Sequence, residues 1–141
     1  MEKINSLTGM TDLIETKADE NVLANKVFQT EKILKEIFTN YAMSEIRTPA
    51  LENTNLFKRS VGDTSDIVNK ELYTFSDKND KSITLRPEGT ASVMRSIIEK
   101  KLDGETHKLW YLGPMWRYER PQKGRYRPVS YTHLRAHETS L

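Results

Sequence analysis

The 141-residue sequence contains no cysteine, which excludes disulfides, thiolate zinc sites and a cysteine nucleophile within it. It has no apolar run near the roughly 20 residues that cross a bilayer. The opening residues, Met1 to Gly9, lack the apolar stretch of a secretory leader. A cytoplasmic protein without a membrane partner is therefore the expectation. Net charge is also scarce: 22 basic and 20 acidic side chains leave +2, so any site for a polyanion must be local. Neither G-x-x-x-x-G-K-[ST] nor G-x-G-x-x-G occurs. A nucleotide, if bound, must be held by side chains on a sheet. Repeats, low-complexity tracts and flexible linkers are missing as well.

What is present is a polar but foldable composition, 36% hydrophobic and 30% charged, in a length that suits one domain. Leu23, Val27, Leu34, Phe38 and Tyr41 recur at helical spacing, widened by Val22, Ile33 and Ile37. They predict one long amphipathic helix from about Asp19 to Tyr41, with Asp19 as its cap. Ser44 to Pro49 reads as a short strand stopped by proline, and Asn53 to Arg59 as a short helix. Glu71 to Phe75 and Ser82 to Leu85, joined by a polar Ser76–Lys81 segment, predict a β-hairpin. Thr90 to Lys101 returns to helical spacing, and Leu109 to Glu119 is aromatic and extended. The fold class is α+β with an antiparallel sheet flanked by helices.

Two stretches carry chemistry. Arg117, Arg120, Lys123, Arg125 and Arg127 crowd one segment around Glu119. On a strand Arg117 and Glu119 share a face, and Arg125 with Arg127 does the same beyond the Arg120–Gly124 loop. Guanidiniums on both arms of such a hairpin suit a polyphosphate, because their planar forks bind phosphate oxygens in pairs. A solvated hairpin with intrastrand ion pairs fits the same spacing. Arg86-Pro87-Glu88-Gly89-Thr90 stands at a strand–helix junction, where Glu88 and Thr90 offer acceptors to an ammonium group. An ordinary helix start, Thr90 as N-cap with Glu88 near the positive end of the dipole, fits equally.

Several blocks in register then carry a resemblance: Glu45-Ile46-Arg47-Thr48-Pro49, Leu56 to Asp63, Glu71 to Phe75, Thr84 to Ala91, Leu109 to Arg117 and Glu119 to Arg127, with Gly9-Met10-Thr11-Asp12 at the start. In order and spacing they resemble histidyl-tRNA synthetases. The resemblance implies a class II synthetase-type sheet, incomplete at its C-terminus, and overturns both bland readings. It implies that the long helix and the strand ending at Pro49 are motif 1, the homodimer interface. Residues 109–127 are then motif 2, which holds ATP with its Mg2+. Arg117 would be the catalytic cation, gripping the α-phosphate and the histidine carboxylate. Glu119 would meet adenine, Arg125 the outer phosphates or the end of tRNA(His), and Arg127 would belong to the ATP site. Glu88, Gly89 and Thr90 would bind the histidine ammonium. No resident protein-bound metal is implied.

The resemblance stops at Arg127, dividing the chain into 1–127 and an unrelated tail, 128–141. Tyr131 stands where the family has a glutamine, and Pro128 lies where a ladder donor is needed. The expectation is a truncated catalytic domain, inactive by itself, with the tail an artefact of sequencing or assembly. His133 and His137, four apart, would share a helix face as metal ligands only with a third ligand that the sequence does not offer. Two rival readings remain. A non-catalytic, histidine-sensing paralogue from histidine biosynthesis would tend to depart in the Glu88–Thr90 turn and the basic loop, both intact here. A class II synthetase for proline or threonine would lack Leu85 to Thr90 in this setting.

Overall fold

The computed structural model describes residues 3–7, 10, 12–16, 23–62, 65, 67–118, 131–132 and 135–139. Helix α1 runs Leu23–Asn40. Asp19, its expected cap, lies outside the described residues. Ahead of the helix, Thr16 and Asn25 exchange two hydrogen bonds, backbone N–H to Oδ1 at 3.0 Å and Nδ2 to carbonyl at 2.8 Å. The helix ends where Ala42 adopts a left-handed conformation (φ 54°). There the Met43 N–H closes on the Phe38 carbonyl at 2.9 Å and that of Ala42 on Thr39 at 3.0 Å, so the last carbonyls find donors.

Strands β1 (Ser44–Glu45) and β2 (Leu51–Asn53) lead into helix α2 (Thr54–Val61). Asn53 starts α2 by accepting the Asn55 N–H on its side chain at 2.9 Å. A π-helical turn, Ile67–Glu71, precedes β3 (Thr74–Ser76), β4 (Ser82–Leu85) and helix α3 (Thr90–Glu99). The predicted hairpin is present, but its first strand begins at Thr74 rather than Glu71. The Glu71 carbonyl is taken by the Tyr118 N–H at 2.8 Å, away from the hairpin. Asp77 closes the turn, its Oδ1 accepting the N–H groups of Asn79 and Lys81 at 2.7 and 2.9 Å.

Strand β5 (His107–Tyr111) is central to a three-stranded sheet ordered β1-β5-β8, with β8 at Arg135–Thr139. The sheet is mixed. β5 and β8 are antiparallel, whereas β1 and β5 run parallel, Ser44 opposite Leu109 and Glu45 opposite Trp110. The expected antiparallel sheet thus carries one parallel pair, because the chain returns to β1 only after the whole excursion through α3. A second sheet, β2-β4-β3, is antiparallel throughout. The extended run predicted over residues 109–119 breaks after Tyr111. Its second part, β6 (Pro114–Met115), pairs with β7 (Tyr131–Thr132), so chain 116–130 joins two antiparallel strands.

Val93, Ile97, Tyr111 and Met115 form the core, flanked by Ile46, Met94 and Leu109. Burial of the α3 face against β5 and β6 is the main apolar contribution, about 1.5–3 kcal/mol for each fully buried aliphatic side chain. Phe57 of α2 is fully buried nearby. His137 stands in β8, a strand rather than the helix its spacing to His133 would need, and His133 lies outside the described residues.

Candidate functional site

The residues Arg86 to Thr90 join β4 to α3, and they fold by their own chemistry. Gly89, not Thr90, is the N-cap residue, with φ −106° and ψ −20° and no side chain to offer. Glu88 supplies the missing acceptor: its carboxylate takes the N–H of Thr90 at 2.5 Å and that of Ala91 at 2.9 Å. An anion thus sits on the positive end of α3. A carboxylate has about four lone-pair positions, so two amide bonds leave acceptor capacity on Glu88 for an ammonium group. Gly89 is buried against Tyr111, and a Cβ there would lie 2.4 Å from the ring carbon Cε2. Only glycine lets the turn come this close to β5.

Arg117 follows β6 and reaches the same turn, its Nε donating to the Pro87 carbonyl at 2.9 Å. Glu88, Thr90 and Arg117 all line one open cleft of about 1000 Å³. The structure therefore brings together four of the residues singled out in the sequence, Gly89 as the packed pivot and the other three on the wall. Glu119, Arg125 and Arg127 lie outside the described residues.

The cleft wall also holds Glu52 of β2 and Arg95 of α3. Glu52 is buried at 8% exposure, and Arg95 donates to its Oε1 from Nη2 at 2.7 Å and Nε at 3.2 Å. Arg95 also meets Glu99 one turn on. The hydrogen bond to Glu52 is the main reason the Arg95 guanidinium binds its proton more tightly than usual. Sequence reasoning missed this pair, since the two residues are remote along the chain; only the Arg95–Glu99 spacing was legible.

It also gave Arg86 no role. Arg86 is 8% exposed, and burial lowers its pKa. Its Nη1 donates to the Thr48 carbonyl at 2.9 Å and to the Thr48 hydroxyl at 2.8 Å, and its Nε to the Pro114 carbonyl at 3.3 Å. The guanidinium carbon lies 5.9 Å from the Trp116 ring centroid, within cation–π range. A Cβ on Gly113 would fall 2.8 Å from Nη2. The lone signal in the sequence was an arginine directly after a strand.

Among the described residues no group of three or more His, Cys, Asp or Glu is placed to hold a metal ion, and no helix is long and apolar enough to cross a membrane.

Comparison with known proteins gives a consistent result. A family model described as histidyl-tRNA synthetase matches residues 20–131. The histidine–tRNA ligase of Geobacter sulfurreducens is 61% identical over 99 residues, which are 69% of this chain and 24% of that protein. That of Pelobacter propionicus is 62% identical over 99 residues with the same coverage. This chain therefore spans about a quarter of the length of the curated relatives it matches. Among solved structures, apo histidyl-tRNA synthetase from S. aureus superposes with a TM-score of 0.66 at 42% identity, covering 82% of this chain and 26% of that one. An ATP phosphoribosyltransferase regulatory subunit/histidyl-tRNA synthetase from Bacillus halodurans C shares the fold, with a TM-score of 0.55 at 23% identity over 80% of this chain and 27% of its own.

Proposed function

The chain belongs to the histidyl-tRNA synthetase family, and from that premise we propose that its protein activates histidine with ATP and transfers it to tRNA(His). The observation that supports this most is the pairing of opposite charges in one cleft. Arg117 is docked on the Pro87 carbonyl beside the Glu88 carboxylate and Thr90. A zwitterionic amino acid needs that arrangement, an anion for its ammonium and a cation for its carboxylate.

In this reading Glu88 and Thr90 hold the ammonium of histidine while Gly89 keeps the turn tight. Arg117 draws the carboxylate of histidine and the α-phosphate of ATP together. The carboxylate oxygen attacks the α-phosphorus in line, the bond to the β-phosphate oxygen breaks, and histidyl-adenylate and pyrophosphate form. Positioning and charge stabilisation carry such a step without a protein nucleophile. Mg2+ arrives with the phosphates of ATP and needs no protein cage of its own. Glu119, Arg125 and Arg127 complete the nucleotide site on the adenine and outer-phosphate sides. A ribose hydroxyl at the tRNA 3′ end then attacks the acyl carbon and releases AMP. The protein acts as a cytoplasmic homodimer through α1 and β1, a reading supported by the apolar residues that α1 leaves open. The tail beyond residue 131, where the family match ends, is foreign to the family in this reading, and DNA downstream of the Arg127 codon, read in all frames, tests that.

Histidine-dependent ATP–pyrophosphate exchange by the full-length protein tests the function. Exchange with histidine and not with proline or threonine is the expected result. Histidine binding without exchange would replace the enzyme by a histidine-sensing paralogue.

A further inference from the structure

We infer that Arg86 is a positioning residue for this reaction, holding the segment that carries Arg117 against the Glu88 turn; the inference rests on the function proposed above. Arg86 bonds to chain on both sides of itself. Towards β2 it reaches Thr48 with its guanidinium and Ala50 with its backbone N–H, the latter at 2.9 Å. Towards β6 it reaches Pro114 with Nε, lies over the Trp116 ring, and accepts the Trp116 N–H on its carbonyl at 3.0 Å. Glu88 is two residues beyond Arg86, and Arg117 directly follows Trp116. One side chain thus spans the joint whose two sides carry the anion and the cation of the cleft.

The chemistry of the guanidinium is what suits it to this place. Its fork is planar, so Thr48 and Pro114 are held in fixed directions while the flat face meets Trp116. A lysine keeps the charge but loses both the fork and the stacking. Among the described residues no ion pair closes on Arg86, so its acceptors are neutral and directional. The site at Gly113 fits the same account: any side chain there would press on Nη2.

A shift of this joint changes the spacing between Glu88 and Arg117 rather than removing either, and a misplacement of about 1 Å can cost on the order of a hundredfold in rate. In the full-length enzyme, Arg86→Lys should lower kcat for histidine-dependent ATP–pyrophosphate exchange by about ten- to a hundredfold per titrated active site. KM for ATP should move by less than about threefold. Gly113→Ala, which displaces Nη2 and leaves Arg86 in place, should act in the same direction by about three- to tenfold, and it serves where Arg86→Lys does not fold. Arg86→Lys added to Arg117→Ala should cost little beyond Arg117→Ala alone, because both act at one point. Unchanged kcat per active site, a loss explained wholly by fewer active sites, or additive losses in the double variant would each overturn the positioning role. A wild-type protein without exchange would instead overturn the reading of the site, and the positioning role with it.

Discussion

Helices α1 and α3 carry the same kind of amphipathic pattern and meet different surroundings. In α3, ten residues long, Ala91, Ser92, Val93, Ser96 and Ile97 are buried. In α1, eighteen residues long, only Ala24 is, and Leu23, Ile33 and Ile37 stand exposed at 68%, 48% and 41%. The longer helix touches the sheet chiefly where Phe38 stacks on Trp110, ring centroids 5.1 Å apart, and where its first turns meet Leu112 across a hollow of about 350 Å³. Periodicity in a sequence gives a helix its apolar face and leaves open what covers that face. For α3 the cover is the core that also fixes the Glu88 turn. For α1 it is the partner surface in the proposed dimer, since contiguous exposed apolar residues mark association sites.

If this contrast is right, substitutions near α3 change chemistry and those on α1 change assembly. The largest effect is expected at Arg117. Arg117→Ala in the full-length enzyme should reduce histidine-dependent ATP–pyrophosphate exchange by at least about a hundredfold, the scale for losing a charge-stabilising donor. Near-normal exchange would remove Arg117 from the site. Next is Glu88→Gln, which keeps an acceptor for the α3 amides and loses the charge. KM for histidine should rise about tenfold and that for ATP by less than about threefold; equal rises would reduce Glu88 to a helix cap. Ile33→Glu with Ile37→Glu should make the protein sediment as a monomer, while each costs the folded chain no more than about 0.5 kcal/mol. A dimer that survives both charges would move the interface off this face.

The smallest effect is expected where α1 is tied to β1. Glu45 bonds to Arg47 at 2.6 Å and faces Lys35 of α1 at 3.5 Å. The hydrogen bond from Arg47, helped by both positive charges and opposed by burial, holds the Glu45 carboxyl below its ordinary range. A carboxylate lowered in the folded state stabilises above its unfolded pKa, and that contribution is lost as pH falls through the folded value. Glu45→Gln should thus lower the melting temperature slightly at neutral pH, by about 2 °C or less, and not at all in acid. A difference that persists in acid would assign the effect to packing.

Local signals in the sequence located most elements. The hairpin turn within Ser76–Lys81, the short helix starting near Asn53 and the α3 face are short-range features, and each is where the pattern predicts it within a few residues. The Glu88–Thr90 turn and Arg117 were legible as chemistry because their residue types are unusual together. What escaped was non-local. Nothing along the chain indicates that β1 pairs with β5 in parallel, that Glu52 meets Arg95, or that Arg86 turns inward to Thr48 and Pro114. A buried arginine and a solvated one read alike until the chain closes around them.

That parallel pair has a consequence for how the protein is made. Ser44 leaves the ribosome about 65 residues before its partner Leu109, an interval of several seconds at about 5–20 residues per second. The β2-β4-β3 sheet needs only its own residues and closes within that interval, and Arg86 then already has Thr48 and Ala50 at hand. Pro114 and Trp116 emerge last. A chain that ended before Pro114 would leave the Arg86 guanidinium with Thr48 alone, without the Pro114 carbonyl and the Trp116 ring that join it to the other side of the cleft.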